Sequence, residues 1–387
     1  MQFSSRLDAF GDEVFASLNA QRRALEARGR DMVDLSVGTP DFEPPAHVVN
    51  ALVEAAQDPV SWRYALHDEP ALLEALCDYY RRRFGVEVTP DMAMLVSGTQ
   101  EGMGHLALAL LDPGDTALVP DPCYPIFAGA VRLAGAEPVY YPMVAEHGFL
   151  PHVADIDPEV ADAAKYLVIS LPANPVGSVG TDEMYEEVID FAREHDLLVV
   201  HDNAYSDIVH DGERGGSFLR FPGAADVGVE FFSLSKSFNV TGARLSFLVG
   251  RPDVVAALRK LRGQIDFGTF VPAQRAAIAA LTGPLEPVEE QRQRYRERRD
   301  ALCDALEQIG WERPNAQGTM FVWAKLPDRY TDSMQFVQDL MNEAGVVVTP
   351  GASFGPRGEG YVRFALVLPP DGLRDAVARI GAAGFGA

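Results

Sequence analysis

The chain predicts an α/β protein: a large domain on a mainly parallel sheet of seven-stranded type flanked by helices, with a smaller α+β domain beside it. Three observations lead there. At 387 residues the chain exceeds one minimal domain and has ample material for a core. Short apolar runs rich in β-branched residues alternate with helical periods, the pattern of parallel strands connected by helices. Near the C-terminus the pattern changes, and the short strands GTMFVWAKL, GVVVTPG and YVRFALV are separated by helices.

In chain order, residues 1–45 read as loops and helix outside the sheet. The segments AMLVS, TALVP, EPVYY, YLVIS, LLVVH, EFFSL and RLSFLVG read as strands. Helical periods occupy Gln100–Leu111, Asp182–Glu194, Pro252–Arg262 and Pro287–Ile309. The expected division is a large domain at 46–280 and a discontinuous small domain at 1–45 and 281–387.

Composition narrows the function classes. The formal net charge is −23, so no basic stripe survives and nucleic-acid binding is not expected. The acids are spread over helical segments and read as a solvated surface. No apolar run approaches the roughly 18 residues of a membrane span. The N-terminal stretch lacks the apolar region of a secretory signal, which makes the cytoplasm the expected location. Cys77, Cys123 and Cys303 have neither a metal-ligand spacing nor an even framework, and read as reduced thiols. The eight histidines form no ligand-like cluster in sequence, so no metal is expected.

The chemistry concentrates in SLSKSFNVTGARLSFLVG, residues 233–250. The chain has only four lysines, and one of them, Lys236, sits here among hydroxyls with Arg244 eight positions on. A lysine that is desolvated and flanked by cations has a lowered pKa and becomes a nucleophile for carbonyls. Ser233, Ser235 and Arg244 are the residue types that grip a phosphate. On this segment alone, a strand-edge lysine with its amine in solvent remains an equal alternative.

Upstream segments shift the balance. In MLVSGTQEGMGHLALALL a strand ends at Ser97-Gly98-Thr99 and a helix begins, an anion site by helix dipole and free N–H groups or an ordinary N-cap. LVVHDNAYSDI ends a strand with Asp202 and places Tyr205 three residues on; a carboxylate there can keep a pyridine nitrogen protonated. Asn174 in SLPANPVG follows another strand, and Tyr124 in PDPCYP another. These positions fall at the carboxyl ends of predicted strands, the edge that lines the ligand crevice of an open parallel sheet. Arg363, within the apolar strand YVRFAL, needs an anion: a bidentate carboxylate ligand or a structural ion pair.

This ordered set resembles the fold-type I aminotransferases that use pyridoxal 5′-phosphate, specifically the class I/II group containing aspartate, alanine and diaminopimelate aminotransferases. The resemblance runs from VDLSVGTPDFEPP to YVRFAL, nearly the full length. It implies a ping-pong transfer of an amino group from an L-amino acid to a 2-oxo acid such as pyruvate or 2-oxoglutarate. Lys236 would bind the cofactor covalently and carry the α-proton. Asp202 would pair with the ring nitrogen, Asn174 and Tyr205 would bond the phenolic oxygen, and Tyr124 would stack on the ring. Gly98, Thr99, Ser233 and Arg244 would hold the phosphate, with Tyr64 reaching in from the other subunit of a homodimer. Arg363, with the Gly38 backbone, would bind the substrate α-carboxylate. Another pyridoxal-phosphate enzyme on the same scaffold, such as a β-lyase, decarboxylase, cyclase or oxidase, is the alternative.

Three departures from the family pattern stand out. Ala173-Asn174-Pro175-Val176-Gly177 replaces the usual Asn-Asn-Pro-Thr-Gly but keeps the ring-contacting asparagine. In YALHDEPALLEAL, Glu69 stands where glycine is usual and Glu74 where arginine is, which suggests selectivity toward cationic side chains or a reshaped turn. Gly98-Thr99-Gln100-Glu101-Gly102 replaces Gly-Ser-Lys-Glu-Gly and so lacks a lysine that could anchor a distal carboxylate. By contrast, DFGTFVPAQRAAIAAL resembles the diaminopimelate subgroup.

Overall fold

Along the chain the strands are β1 (Val33–Asp34), β2 (Ala93–Val96), β3 (Thr116–Asp121), β4 (Glu137–Pro142), β5 (Ala164–Ser170), β6 (Leu198–Asn203), β7 (Gly228–Ser233), β8 (Ser246–Gly250), β9 (Phe321–Lys325), β10 (Val346–Val347), β11 (Thr349–Pro350) and β12 (Tyr361–Ala365). The structure, a computed structural model, describes residues 3–11, 14–212 and 215–386. Seven strands form one sheet in the order β2-β8-β7-β6-β5-β3-β4. The pairings from β4 across to β7 are parallel, whereas β8 runs antiparallel to both β7 and β2. That reversal puts the start of β8 on the same edge as the carboxyl ends of its neighbours.

Apolar alternation builds this sheet. Every residue of β2, β6, β7 and β8 is buried, as expected for strands covered on both faces. Leu95, Leu167, Val199, Phe232 and Phe247 pack into one apolar cluster. Their chain neighbours Met94, Val168, Val200, Phe231 and Leu248 pack into another on the opposite face. The covering helices carry the matching stripe. In Asp182–Glu194, Met184, Tyr185, Val188, Ile189 and Ala192 are buried, and the Thr181 hydroxyl accepts the Met184 N–H at 3.2 Å as N-cap.

A third cluster joins Leu18 and Leu35 to Leu302, Phe336, Val346, Phe364 and Leu373. Here β11, β12 and β9 form an antiparallel sheet, and β1 pairs in parallel with β10, tying the N-terminal segment to the C-terminal region. The expected strand GVVVTPG divides in two: Val346 and Val347 pair with β1, while Thr349 and Pro350 pair with β12. No helix among the described residues is long and apolar enough to cross a membrane.

Candidate active site

A cleft of about 380 Å³ opens at the carboxyl edge of the large sheet, and β12 reaches its rim. Thr99, Tyr124, Asn174, Asp202, Tyr205, Ser233, Lys236, Arg244, Gly38 and Arg363 all line it. Two expected site residues do not. Gly98 lies beside the cleft at the start of the Thr99–Leu110 helix, and Tyr64 is 77% exposed, its ring 5.1 Å from that of Phe267.

Lys236 projects from a single helical turn, Leu234–Ser237, directly after β7. Its Nζ donates to the Gly38 carbonyl at 2.5 Å. Burial pulls its pKa from 10.5 to about 8, and the nearby Arg363 and Arg244 charges push the same way. The turn is pinned from two sides. Gln291 Nε2 donates to the Lys236 carbonyl at 2.5 Å, and Ser237 Oγ donates to Asp207 Oδ2 at 2.6 Å. Neither Gln291 nor Asp207 was singled out in the sequence, because each comes from a segment far from the lysine motif.

Asp202, next to last in β6, has its carboxyl buried, and burial raises its pKa to about 6 against the lowering pull of His201 and the Ala204 N–H. Its Oδ1 has no hydrogen-bond partner. Such an orphaned buried acceptor is costly unless a ligand supplies a donor. Behind it, His201 Nδ1 lies 3.0 Å from Glu230, and His201 Nε2 donates to the Leu171 carbonyl at 3.1 Å. Glu230, fully buried, also accepts from Tyr80, Ser217 and the Phe218 N–H, each at 2.8 Å. That network places a satisfied polar group under the cleft floor.

The opposite end of the cleft is a cup of hydroxyls and a guanidinium. Ser246 Oγ donates to Ser233 Oγ at 2.8 Å and receives Thr99 Oγ1 at 3.5 Å. Gly98 holds φ +86°, ψ 154°, a region open to glycine alone, and a Cβ there would stand 1.9 Å from Arg244 Nη2. The missing side chain is therefore what lets Arg244 lie across the N-terminus of the Thr99–Leu110 helix. Arg244 reaches this edge only because β8 runs against its neighbours. Gln100 completes the wall, and Tyr124 donates to its Oε1 at 3.2 Å.

Arg363 is 3% exposed, with its guanidinium 3.9 Å above the Phe321 ring. It donates to Asn174 Oδ1 at 2.8 Å and to the Ser36 carbonyl at 2.9 Å, both neutral, and its Nε has no partner. Burial lowers its pKa to about 10. Among the described residues no carboxylate pairs with it, which removes the structural ion pair as an explanation and leaves a cation in want of an anion.

Glu69 does not face this cleft: it forms an ion pair with Arg275 at 2.7 Å, and Glu74 is exposed on the Pro70–Phe84 helix. Away from the cleft the fold gathers His147, His152 and Asp155, with donor atoms within 4.8 Å of one another, a proximity their sequence spacing did not reveal.

The donors and acceptors of the cleft fit a phosphorylated pyridine aldehyde: a buried amine for the carbonyl, an orphaned carboxylate oxygen for a ring N–H, and a glycine-floored cup for a phosphate. Comparison with known proteins agrees. Residues 30–380 match the family model described as aminotransferase class I and II. The chain is 41% identical over 382 residues, 98% of each protein, to an LL-diaminopimelate aminotransferase of Moorella thermoacetica. It is 39% identical, again over 98% of each, to one of Aquifex aeolicus. Among solved structures, substrate-bound BacF from Bacillus subtilis superposes with a TM-score of 0.96 at 35% identity over the whole of both chains. A probable N-succinyldiaminopimelate aminotransferase from Thermus thermophilus gives 0.91 at 37% identity, covering 96% of this chain and 100% of that one. The chain belongs to the class I and II aminotransferases and is a pyridoxal-phosphate-dependent transaminase.

Proposed function

We propose that the cleft is the transaminase active site, with Lys236 as covalent anchor and proton carrier and Arg363 as the grip on the substrate α-carboxylate. The observation that carries the reading is the convergence, in one cleft, of a buried amine held near neutrality and a buried guanidinium with no counter-ion. Arg244, Ser233, Thr99 and the N–H groups after Gly98 would hold the phosphate; Asp202 the ring nitrogen; Asn174 and Tyr205 the phenolic oxygen; Tyr124 one ring face. Pyridoxal 5′-phosphate, when bound, supplies an electron sink for negative charge at the substrate α-carbon.

The residues then divide the work. Arg363, fixed by Asn174 and Ser36, aligns the carboxylate and so orients the Cα–H bond. Lys236 Nζ, once free, takes the α-proton and later returns it; a pKa of about 8 leaves roughly a tenth of the amine neutral at pH 7. Asp202, as the carboxylate, holds the ring proton in place. The amino group passes to a 2-oxo acid by the same steps reversed.

Three further features belong to this reading. Tyr64, Trp62, Leu66, Ile265, Phe267 and Phe270 are exposed, and Trp62–Phe270 and Tyr64–Phe267 form ring pairs at 5.2 and 5.1 Å. A contiguous exposed aromatic patch supports a homodimer in which Tyr64 completes the partner's cleft. The separate apolar clusters and the β1–β10 pairing support the division into a large domain at 46–280 and a small one at 1–45 and 281–387. The unpaired cysteines suit a cytoplasmic enzyme.

The test is visible absorbance of the purified protein with pyridoxal phosphate. A yellow band that bleaches with an amino acid and returns with a 2-oxo acid is expected. A band that does not form, or that forms equally in Lys236→Met, refutes the role of Lys236.

A further inference from the structure

The cleft also limits which side chain the substrate can carry. Among the described residues lining it, the charged groups are Asp202, Lys236, Arg244 and Arg363. Each is committed on the reading above, on which this inference rests: Arg363 to the α-carboxylate, Arg244 to the phosphate, Lys236 to the covalent bond and proton, Asp202 to the ring nitrogen. Within one protomer no lining cation is left for a second carboxylate, and no lining carboxylate for a distal ammonium.

The remaining wall is neutral. Val37, Ile126, Tyr124 and Phe321 present apolar surface, and Gln100 presents an amide whose oxygen already accepts from Tyr124. Gln100 stands in the first turn of the Thr99–Leu110 helix and brings no charge to the cleft. Glu69, the acid that departs from the family pattern, pairs with Arg275 and does not line the cleft of its own protomer. Charge accounting points the same way. Arg244 and Arg363 offset part of a phosphate and one α-carboxylate, so another carboxylate would enter the cleft without an opposite charge beside it.

We infer that this transaminase takes monocarboxylic amino acids with uncharged, apolar side chains, and the corresponding 2-oxo acids, in preference to dicarboxylic or diamino substrates. Diaminopimelate, named in its relatives, carries a second carboxylate and a second ammonium that this cleft does not meet. The same logic favours pyruvate over 2-oxoglutarate as acceptor. One pocket serves both halves of a ping-pong cycle, so donor and acceptor face the same wall.

The experiment has two arms on the holoenzyme. In the first, L-leucine, L-methionine, L-phenylalanine, L-glutamate, L-lysine and LL-2,6-diaminopimelate are added singly without acceptor, and bleaching of the yellow band is timed. The expected result is a kcat/KM advantage of at least about 100-fold for the neutral donors. In the second, calorimetry compares 4-methylpentanoate with glutarate, two unreactive acids of similar length, and at least about tenfold tighter binding of the former is expected. Gln100→Lys should narrow both gaps by about tenfold or more. Glutamate or diaminopimelate matching the neutral donors overturns the inference, because a cation then reaches the pocket from elsewhere, the partner subunit included. Glutarate binding as tightly as 4-methylpentanoate overturns it too. Absence of a yellow band refutes the Lys236 reading instead, and with it the reading on which this inference rests.

Discussion

Replacing Lys236 with methionine should stabilise the cofactor-free protein. The folded state holds this amine at a pKa of about 8 against 10.5 for a free lysine. At 1.36 kcal/mol per pKa unit, keeping the charged form in the cleft costs about 3 kcal/mol. Below pH 8 both folded and unfolded chains carry the proton, so the folded state bears the whole cost. Between pH 8 and 10.5 the folded chain has shed a proton that the unfolded chain retains, and stability from this group climbs with pH. Above 10.5 the cost is gone. Methionine has similar length and no charge but cannot donate to the Gly38 carbonyl, a loss of about 1 kcal/mol. Lys236→Met should therefore gain about 2 kcal/mol at pH 7, and the gain should shrink through pH 8 to 10. Urea unfolding of both apoproteins, followed by circular dichroism at pH 7, 8.5 and 9.5, measures it. A variant no more stable than the parent at pH 7, or a difference that does not fall as pH rises, refutes the claim that the charged amine is held against its preference.

The remaining predictions probe the other ligand contacts. Gly98→Ala forces a side chain into glycine-only backbone space and against Arg244; strain of about 1–3 kcal/mol should weaken pyridoxal phosphate binding about 5- to 150-fold, with unphosphorylated pyridoxal much less affected in absorbance titrations. Arg363→Leu should lower kcat/KM for amino acids by about 100-fold or more while leaving the yellow band intact; an equal loss for amines lacking a carboxylate would contradict its assignment. Asp202→Asn should raise apoprotein stability at pH 7.5, because the buried carboxyl, raised from 3.8 to about 6, withdraws stability as pH climbs through that window. The same variant should lose at least about 100-fold in transamination, read by steady-state kinetics. Phe267→Glu, in the exposed aromatic patch, should convert a dimer to a monomer in sedimentation and weaken cofactor retention; an unchanged mass would rule out that patch as the interface.

What was legible in the sequence was the part governed by local rules. Lys236, Asp202, Asn174 and Tyr124 stand at or just beyond strand ends, so the apolar period that marks each strand also locates the side chain on the ligand edge. The helix boundary moved by one residue, to Thr99, because the left-handed geometry of Gly98 starts the helix there. Arg244 was found by its spacing from Lys236, but why it arrives at the cleft was not readable: that depends on β8 running antiparallel, a property of pairing rather than of any segment. Gln291, Ser246 and the Glu230–His201 pair were invisible for the same reason. Each acts on a partner many residues away, and an isolated glutamine or serine carries no period or motif. Glu69 is conspicuous against the family pattern, but its pairing with Arg275 on a neighbouring helix was not readable, because no local rule joins two residues so far apart in the chain.

The cleft is incomplete by construction, and its defects match one another. A charged lysine held at a lowered pKa, a carboxylate oxygen without a donor and a guanidinium nitrogen without an acceptor are each destabilising in the empty protein. All three lie in one crevice, and a ring nitrogen, an aldehyde and an α-carboxylate would satisfy them together. A surface carrying most of the net charge of −23 surrounds a crevice whose own residues are predominantly cationic. Anions that reach the crevice therefore meet local cations that the rest of the surface does not offer in such density. The stability lost at Lys236, Asp202 and Arg363 is tolerated because the large sheet is buried on both faces, leaving a margin that a smaller core could not supply. Strand order, burial and charge therefore converge on one requirement: the rigid sheet edge must hold unsatisfied groups apart until a ligand joins them.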